Sequence, residues 1–339
     1  MTSQRVGILG TGLIGASIGL GLRRAGHDVR GWDPEESAVA EAARLGALEP
    51  ADRIEALAWA DIVVLAGPPA VIVDEVAEIE TSALVTDVAG IKGPVVSAAA
   101  HVPRFVGGHP MAGREASGPA AATGSLFRGA AWVLVTDGAG SEDLEIVTSL
   151  VEDLGARPML MTAEEHDRRV AVVSHLPQLL AAGLLHLADD EDGALDLAAG
   201  SFRDLTRVAA SDPAPWTELL SGNADALATA VTSLTRALDE LASSARSSPE
   251  RVASTLGEAR RLRRSLAPPV AAVRVALDDR PGELARVGTA FASSGVDVRD
   301  LQLRHGPHGG GGVLTISVRP GEDETLRDAL RAEGLDVVG

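Results

Sequence analysis

Apolar and polar positions alternate between strand-like and helix-like patterns in the first half of the chain. Short apolar runs typical of buried strands occupy positions 5–9, 28–32, 61–66, 83–87, 104–106, 131–135 and 157–161. Stretches with apolar residues at helical spacing lie at 16–25, 34–48, 71–80, 94–100 and 143–154. Such alternation is typical of a mostly parallel sheet with helices on both faces. We therefore predict one α/β domain over residues 1–163.

The pattern changes after residue 163. Apolar residues recur at helical spacing, and strand-like runs are absent up to residue 266. The spacing predicts helices over 164–187, 193–208, 213–243 and 249–265. A helical region of this size after an α/β domain is often where two subunits pack. Residues 164–266 are therefore predicted to form an all-helical dimerisation and substrate domain.

The last part of the chain returns to strands. Ala-Pro-Pro at 267–269 breaks the preceding helix and indicates a linker. Beyond it, strand-like runs at 270–277, 295–304, 313–318 and 335–338 alternate with helical stretches at 285–294 and 324–333. This βαββαβ order is the ferredoxin-like pattern, and it predicts a third domain over residues 270–339.

Composition and charge exclude several classes of protein. The net charge of −18 over 339 residues argues against nucleic acid or an anionic membrane as the main partner. The absence of cysteine excludes disulfides, a thiol nucleophile and thiolate metal sites. The first 20 residues lack a basic-then-apolar signal pattern, and no apolar run approaches membrane-spanning length. We expect a cytoplasmic protein of enzyme size.

A glycine-rich turn follows the first predicted strand and opens the first helix. Its sequence is Gly10-Thr11-Gly12-Leu13-Ile14-Gly15. This context is the one in which a G-x-G-x-x-G turn binds a dinucleotide. The three glycines permit, in order, the tight turn, the approach of a pyrophosphate to backbone N–H groups, and close packing of helix and strand. The first domain is therefore predicted to be a Rossmann domain.

Two positions refine the cofactor prediction. Asp33 ends the second predicted strand, where its carboxylate can accept hydrogen bonds from ribose hydroxyls and repel a 2′-phosphate. The cofactor is therefore predicted to be NAD rather than NADP. Pro68 follows another strand at its carboxyl end, where doubly wound sheets bind ligands. We predict that Pro68 lies along the nicotinamide, with a simple loop as the alternative.

One histidine stands out after the strand-like run at 104–106. Gly107 and Gly108 precede His109, and Pro110 follows it. Glycine allows close backbone approach, and proline fixes φ. We predict a rigid, open loop that presents one imidazole able to take a proton near neutral pH. A turn with an incidental histidine is the alternative.

Other polar residues give weaker signals. Arg203 and Arg207 share one helical face, where they repel each other unless an anion or an acid such as Asp204 lies between them. The alternative is a solvated face. His305 and His308 are predicted to be loop residues, and no metal-ligand spacing appears elsewhere, so we predict no metal.

Two motifs together carry a resemblance to a known family. They are Gly107-Gly-His-Pro-Met-Ala-Gly113, with Glu115 and Ser117-Gly118, and Thr206-Arg207-Val-Ala-Ala-Ser-Asp212-Pro213. The chain resembles the prephenate/arogenate dehydrogenase family over most of its length. Its tail, through Asp279-Arg-Pro-Gly-Glu-Leu284, resembles the opening turn of ACT domains, which are small amino-acid-sensing modules.

The resemblance implies NAD-dependent oxidative decarboxylation of prephenate to 4-hydroxyphenylpyruvate, a step of tyrosine biosynthesis. His109 matches the histidine that accepts a hydrogen bond or proton from the ring hydroxyl, and Arg207 matches the arginine that binds a substrate carboxylate. His175 matches a second histidine near the substrate. The residues that match a polar group around the arginine are Glu115, Arg203 and Asp204. A homodimer and a tyrosine effector at the ACT domain are also implied.

Two departures from the family leave alternatives open. Gly90 stands where many relatives have serine, and Gln178 stands where many have histidine. Either change bears on the choice between prephenate and arogenate, so arogenate dehydrogenase is one alternative. A Rossmann dehydrogenase of the β-hydroxyacid type is another, but it would use a lysine on the helical domain, whereas Lys92 is the only lysine. A non-catalytic regulator that binds NAD and an amino acid is the third.

Overall fold

The computed structural model describes residues 3–113, 116–266, 270–305 and 311–338. Two compact units divide the chain, Met1–Ala237 and Leu238–Gly339. Each unit is described by itself. Glu115, His308 and the predicted linker at 267–269 lie outside the described residues.

A six-stranded parallel sheet forms the centre of the first unit. Its order is β3-β2-β1-β4-β5-β6, so the chain reverses direction across the sheet between β1 and β4. The strands are β1 Arg5–Leu9, β2 Asp28–Trp32, β3 Glu49–Pro50, β4 Ile62–Leu65, β5 Leu84–Asp87 and β6 Phe105–Val106. Ligands bind outside the carboxyl ends of strands at such a reversal. The predicted Rossmann-like sheet is confirmed.

Helices cover both faces of this sheet. They are α1 Leu13–Ala25, α2 Glu36–Arg44, α3 Arg53–Trp59, α4 Pro69–Glu78, α5 Gly93–Ala98 and α6 Ser141–Asp153. One core cluster contains Ile8 of β1 and Leu22 of α1, and another contains Val63 of β4 and Val76 of α4. Both β3 and α3 were missed by the sequence pattern, and the helix expected over 34–48 is shorter than predicted.

A second, three-stranded sheet corrects the prediction for His109. Its strands are β7 Gly108–Pro110, β8 Ala131–Val135 and β9 Arg157–Met161, with β7 antiparallel to β8 and β8 parallel to β9. His109 pairs with Val133, so the predicted open loop is wrong and the histidine lies in a strand. A Cβ at Gly108 would lie 2.5 Å from the Asp87 carbonyl oxygen, so only glycine fits where the chain passes from β6 to β7.

Helices follow the two sheets, as predicted, although the helix expected over 193–208 covers only Gly200–Thr206 and the helix expected over 213–243 is divided in two at residue 223. They are α7 Ala163–Val170, α8 Leu176–Asp189, α9 Gly200–Thr206, α10 Pro213–Gly222, α11 Ala224–Ser247 and α12 Pro249–Ser265. A π-helical turn, Ala171–His175, joins α7 to α8. Pro177 lies in the first turn of α8, and because proline has no N–H to donate to the preceding turn, it favours this local widening.

The continuous helix Ala163–Asp189 is long and apolar enough to cross a membrane by length and composition alone, although no such segment was expected. Only 28% of its most apolar stretch is buried within the protein. Val172, Val173 and Leu187 are among its exposed apolar side chains. One helix of this kind is weak evidence for a membrane, because a helix that packs against a protein partner passes the same test.

The second unit contains a four-stranded antiparallel sheet in the order β11-β12-β10-β13. Its strands and helices are β10 Ala271–Leu277, α13 Glu283–Ser294, β11 Val298–His305, β12 Gly312–Val318, α14 Asp323–Ala332 and β13 Asp336–Val337. Val275, Ile316, Leu326 and Leu330 contribute to a separate buried core. The order of elements is the predicted βαββαβ, and His305 ends β11 instead of lying in a loop.

Candidate active site

The glycine-rich turn has the geometry of a dinucleotide-binding turn. Gly10 has a φ of +99°, and a Cβ there would lie 2.7 Å from the Ala66 backbone. A Cβ at Gly15 would lie 1.9 Å from the Gly10 carbonyl oxygen. Only glycine fits either position without a backbone shift. The turn therefore brings the start of α1 against the end of β4.

Next to this turn the structure leaves room for a phosphate. Gly12 caps α1 without a side-chain hydrogen bond, and a Cβ there would meet no atom within 4 Å. Leu13 and Ile14 begin the helix, and backbone N–H groups at a helix start favour an anion. A pyrophosphate therefore fits beside Gly12.

Asp33 lies beside the same turn. One carboxylate oxygen accepts hydrogen bonds from the Thr11 N–H at 2.6 Å and the Thr11 hydroxyl at 3.3 Å. The other accepts from the Glu35 N–H at 3.0 Å. The carboxylate is thus fixed next to the glycine turn, in the place where a ribose acceptor is needed. Together these features fit a dinucleotide cofactor.

Pro68 caps α4, just beyond the carboxyl end of β4. Next along the chain, the Ala70 N–H donates to the Glu218 carboxylate of α10 at 3.3 Å. This contact brings α10 to the edge of the sheet at which a nicotinamide is expected. The helices after residue 163 therefore help to form this edge.

His109 belongs to a row of hydrogen-bonded side chains. Its Nδ1 lies 2.8 Å from Nε2 of His166, and the two rings meet edge to face. Nδ1 of His166 lies 2.7 Å from the Asp167 carboxylate. That carboxylate also accepts hydrogen bonds from the N–H groups of Lys92 and Gly93, at 2.8 and 2.7 Å. His166 is fully buried, so the row connects β7, α7 and the start of α5 inside the protein.

The surroundings set the charge of these groups. Burial, together with His166, Lys92 and His175, holds the pKa of His109 well below its usual 6.5, so the imidazole is neutral at pH 7. Burial opposes ionisation of Asp167, but hydrogen bonds from His166 and from the two backbone N–H groups outweigh it and keep its pKa low. A neutral base and an ionised carboxylate therefore stand at opposite ends of the row.

Lys92 anchors the strand that carries His109. It is fully buried and donates to the Asp87 carboxylate and, at 2.6 Å, to the Gly108 carbonyl oxygen. Burial lowers the pKa of Lys92 and raises that of Asp87, while their ion pair opposes both shifts. The pair joins the end of β5 to the residue before His109.

Gly90 lies beside the Nε2 side of the imidazole. A Cβ there would be 3.7 Å from Nε2 of His109 and 2.7 Å from Cδ2 of Leu219. Leu219 of α10 therefore occupies space that a larger residue 90 would need. This apolar neighbour stands where the family resemblance implies a serine hydroxyl.

His175 and Gln178 lie on the π-helical turn and α8. His175 is buried, and its Nδ1 lies 3.2 Å from the Asn223 amide, which also donates to the Asp167 carbonyl oxygen at 2.8 Å. Burial lowers the pKa of His175, and Asp167 opposes that shift. The Oε1 atom of Gln178 is buried and has no hydrogen-bond partner within the described ranges.

The structure does not gather every predicted residue into this cluster. Arg203 and Asp204 on α9, and Arg207 on the 3₁₀ turn Arg207–Ala210, are exposed. Their segment packs against α8. Glu115 lies outside the described residues. Among the described residues, no group of three or more histidine, aspartate or glutamate side chains could hold a metal.

Sequence reasoning missed His166, Asp167, Lys92 and Asn223. Lys92 carried a usable signal, since it is the only lysine of the chain and follows a buried strand that ends in Asp87, a carboxylate with which it can pair. His166 and Asp167 carried none, because their importance depends on a contact with a residue 57 positions away.

Comparisons with known proteins give family matches over most of the chain. Residues 18–160 match the family described as "Prephenate dehydrogenase, nucleotide-binding domain", and residues 162–257 match "Prephenate dehydrogenase, dimerization domain". The chain is 32% identical over 355 residues to the probable prephenate dehydrogenase NovF of Streptomyces niveus, covering 96% of each protein. It is 31% identical over 347 residues to the prephenate dehydrogenase of Bacillus subtilis, covering 93% of this chain and 92% of that one.

Two solved structures are similar in fold and sequence. One is prephenate dehydrogenase from Aquifex aeolicus in complex with hydroxyphenyl propionate and NAD⁺, with a TM-score of 0.73 and 29% identity. It aligns with 79% of this chain and 99% of that chain. The other is Synechocystis arogenate dehydrogenase, with a TM-score of 0.70 and 30% identity over 78% of this chain and 100% of that one.

Proposed function

The chain belongs to the prephenate dehydrogenase family, and on that premise we propose that it converts prephenate to 4-hydroxyphenylpyruvate with NAD as oxidant. The observation that carries this proposal is His109. It is a neutral imidazole held through Nδ1, and its Nε2 lies near Gly90, just beyond the carboxyl end of β5. A base in that place can reach a substrate bound against a nicotinamide.

The proton transfer follows from this geometry. NAD, when bound, supplies the acceptor for the hydride that leaves the hydroxyl-bearing ring carbon. As that carbon becomes carbonyl-like, its hydroxyl turns acidic, and Nε2 of His109 takes the proton. When the ring carboxylate leaves as carbon dioxide, its bonding electron pair enters the ring and the oxygen recovers the proton as a phenol. His109 therefore accepts one proton from the substrate hydroxyl and donates it back to the product oxygen.

We assign the remaining polar residues to the substrate carboxylates. Arg207 offers a planar guanidinium suited to a carboxylate. Arg203 and Asp204 lie on the neighbouring helix α9, and the family resemblance assigns Glu115 to the same polar group. Gln178 lies on α8, the helix that Arg207's segment packs against, and His175 lies on the π-helical turn that leads into it. The unpartnered Oε1 of Gln178 supports a substrate contact, because buried polar atoms normally have hydrogen-bond partners.

Arogenate is the second candidate substrate. One similar structure is an arogenate dehydrogenase, and Gly90 and Gln178 both replace side chains that bear on substrate choice. The deciding experiment is to follow NADH formation by its absorbance with prephenate and with arogenate, and to compare kcat/KM. We expect prephenate to be preferred. Activity with arogenate alone would change the substrate, and inactivity with both would remove the proposed function.

We further propose a cytoplasmic homodimer. Residues 162–257 match a dimerisation domain, and exposed apolar residues such as Val172, Val173 and Leu187 are suited to a subunit interface. In this proposal residues 1–163 bind NAD, 164–266 form the dimerisation and substrate domain, and 270–339 form a regulatory domain.

The regulatory domain is proposed to be an ACT module that binds tyrosine. The βαββαβ order supports this, as does Gly282, which has a φ of +99° and begins α13 with backbone open to a ligand. The module has its own core and contains none of the residues assigned to chemistry. It is therefore expected to regulate and not to catalyse.

A further inference from the structure

The row that begins at His109 has a defined direction. Asp167 is ionised and can only accept hydrogen bonds, so Nδ1 of His166 must donate to it. With that proton on Nδ1, Nε2 of His166 is the atom that can accept from Nδ1 of His109, at 2.8 Å, and this is the arrangement that leaves Nε2 of His109 free to act as a base. His109 is thereby fixed with its proton on Nδ1, and its Nε2 keeps a lone pair.

We infer that His166 and Asp167 are positioning residues for the dehydrogenation, which fix the tautomer of His109 and stabilise the positive charge it acquires. This inference rests on the proposed function, because it supposes that Nε2 of His109 takes the proton of the substrate hydroxyl. Neither residue is assumed to touch substrate or cofactor. The proton that His109 takes from the substrate hydroxyl stays within the row and returns to the product oxygen, so no external acid or base is needed.

The charge argument follows from burial. A cation on His109 would be costly in this interior unless a negative group neutralises it. His166 faces it from α7, His175 from the π-helical turn, and Lys92 from the segment before α5. Asp167 lies behind His166, to which it is hydrogen-bonded. Lys92 is already paired with Asp87. Asp167, one imidazole away, is therefore the carboxylate that balances the new charge.

A purely structural role is the competing explanation. Asp167 anchors the first N–H groups of α5, and His166 fills a buried space. Removing either side chain could therefore lower stability without any effect on catalysis. The test must use variants that separate the hydrogen bond from the packing, and a measurement that packing alone does not change.

The first experiment compares His166→Gln with His166→Leu by steady-state kinetics on the full chain. The glutamine amide oxygen can still accept from Nδ1 of His109, whereas leucine cannot. We expect His166→Leu to lower kcat by ~10²-fold or more, the scale of a misoriented catalytic histidine, with KM for prephenate within ~3-fold. His166→Gln should retain kcat within ~10-fold of wild type. Equal kcat values for the two variants would overturn the inference.

The second experiment measures the pH dependence of kcat for Asp167→Asn. Loss of the carboxylate disfavours the cation, so the acid limb, which requires neutral His109, should move to lower pH. An unmoved limb would overturn the charge-balancing role. This measurement also decides the matter if His166→Leu does not fold.

His27→Leu is the matched control. His27 is also buried and pairs with a carboxylate, Asp153 at 3.0 Å, but it lies at the amino ends of the strands. It should lose thermal stability while keeping kcat and its pH profile. A wild-type chain inactive with both prephenate and arogenate would refute the proposed function itself, whereas an active wild type with unaffected variants refutes only this inference.

Discussion

At the scale of single residues, His109 and Arg207 are assigned tasks that respond differently when the side chain is lost. In the proposed reaction His109 takes on charge as the reaction proceeds, so its contribution is expected to grow toward the transition state. Arg207 is proposed to hold a substrate carboxylate, which is present from the start. An interaction made mostly in the transition state lowers kcat when it is lost, whereas uniform binding raises KM.

Kinetics of His109→Asn and Arg207→Gln test this division. His109→Asn should lower kcat by ~10²–10⁴-fold, the range for a lost acid–base group, with little change in KM. Arg207→Gln should raise KM by ~10–100-fold, as expected for a lost charged hydrogen-bond partner, with a smaller change in kcat. Near-normal kcat in His109→Asn would remove the central assignment.

The pH profile gives the same test a second form. Burial holds the pKa of His109 well below 6.5. The wild-type kcat should therefore stay level near neutral pH and fall only at pH values below 6.5, where His109 becomes protonated. The falling limb reflects protonation of the base. It should be absent in His109→Asn.

Cofactor choice is expected to depend on Asp33. Its carboxylate, fixed by Thr11 and Glu35, repels a 2′-phosphate. Asp33→Asn should narrow the preference for NAD over NADP by about 10-fold, equivalent to roughly 1.4 kcal/mol. The measurement is kcat/KM with each cofactor. Asp28→Asn, an exposed change at the other end of β2, is the control, and equal use of both cofactors by the wild type would contradict the assignment.

The dinucleotide turn could be predicted because its residues lie close together in the chain and at a recognisable spacing. Gly10, Gly15 and Asp33 are recognisable from the strand and helix on either side, and the structure places them together. The row at His109 could not be predicted, since His166 and Asp167 gain meaning only when α7 packs against β7 and α5. Contiguous backbone patterns are visible in a sequence, whereas side-chain partners from distant segments are not.

At the scale of elements, α7 holds both positioning residues in its first turns. Its start is fixed by a capping box: Thr162 accepts from the Glu165 N–H, and Glu165 accepts from the Thr162 N–H. Helix starts with such caps resist fraying. The cap therefore keeps His166 and Asp167 in place.

Thr162→Ala should lower the free energy of unfolding of the first unit by about 1 kcal/mol, the usual cost of a lost cap, whereas Thr162→Ser should not. Denaturant unfolding followed by tryptophan fluorescence is suitable, because all four tryptophans lie before residue 237 and the chain has no tyrosine. An unchanged unfolding midpoint in Thr162→Ala would show that the cap contributes nothing.

Element predictions failed where elements are short or irregular. The strand β7 has three residues and holds a glycine and a proline, so its pairing comes from β8 and not from local propensity. The π-helical turn Ala171–His175 lies within a stretch predicted as one regular helix, because the sequence of apolar residues there does not reveal the wider turn. Regular elements such as α12 were predicted correctly because their pattern is long.

At the scale of the whole molecule, two units with separate cores share one chain. Every residue assigned to chemistry precedes residue 237, while the proposed amino-acid site lies in the second unit. The division suggests that regulation can be removed without loss of the reaction.

A chain that ends at Ala267 should retain dehydrogenase activity and lose inhibition by tyrosine. Initial rates of the full and shortened chains, with and without tyrosine, measure this directly. Calorimetry of tyrosine with the full chain is the companion measurement. If no binding is found there, the second unit is a structural or dimerising module only.

The burial of Lys92 has a consequence for chemical probes. It is the only lysine, and no part of its side chain is exposed, so amine-reactive esters should modify the native protein only at its terminal α-amine. Acylation of Lys92 requires the strand that carries His109 to open locally. The rate of that acylation, read by mass spectrometry, should therefore be slow, should fall further with substrate bound, and should become fast in denaturant. Rapid acylation of Lys92 in the native protein would contradict the requirement for local opening. If acylation is slow, its rate measures how often the strand that carries His109 opens.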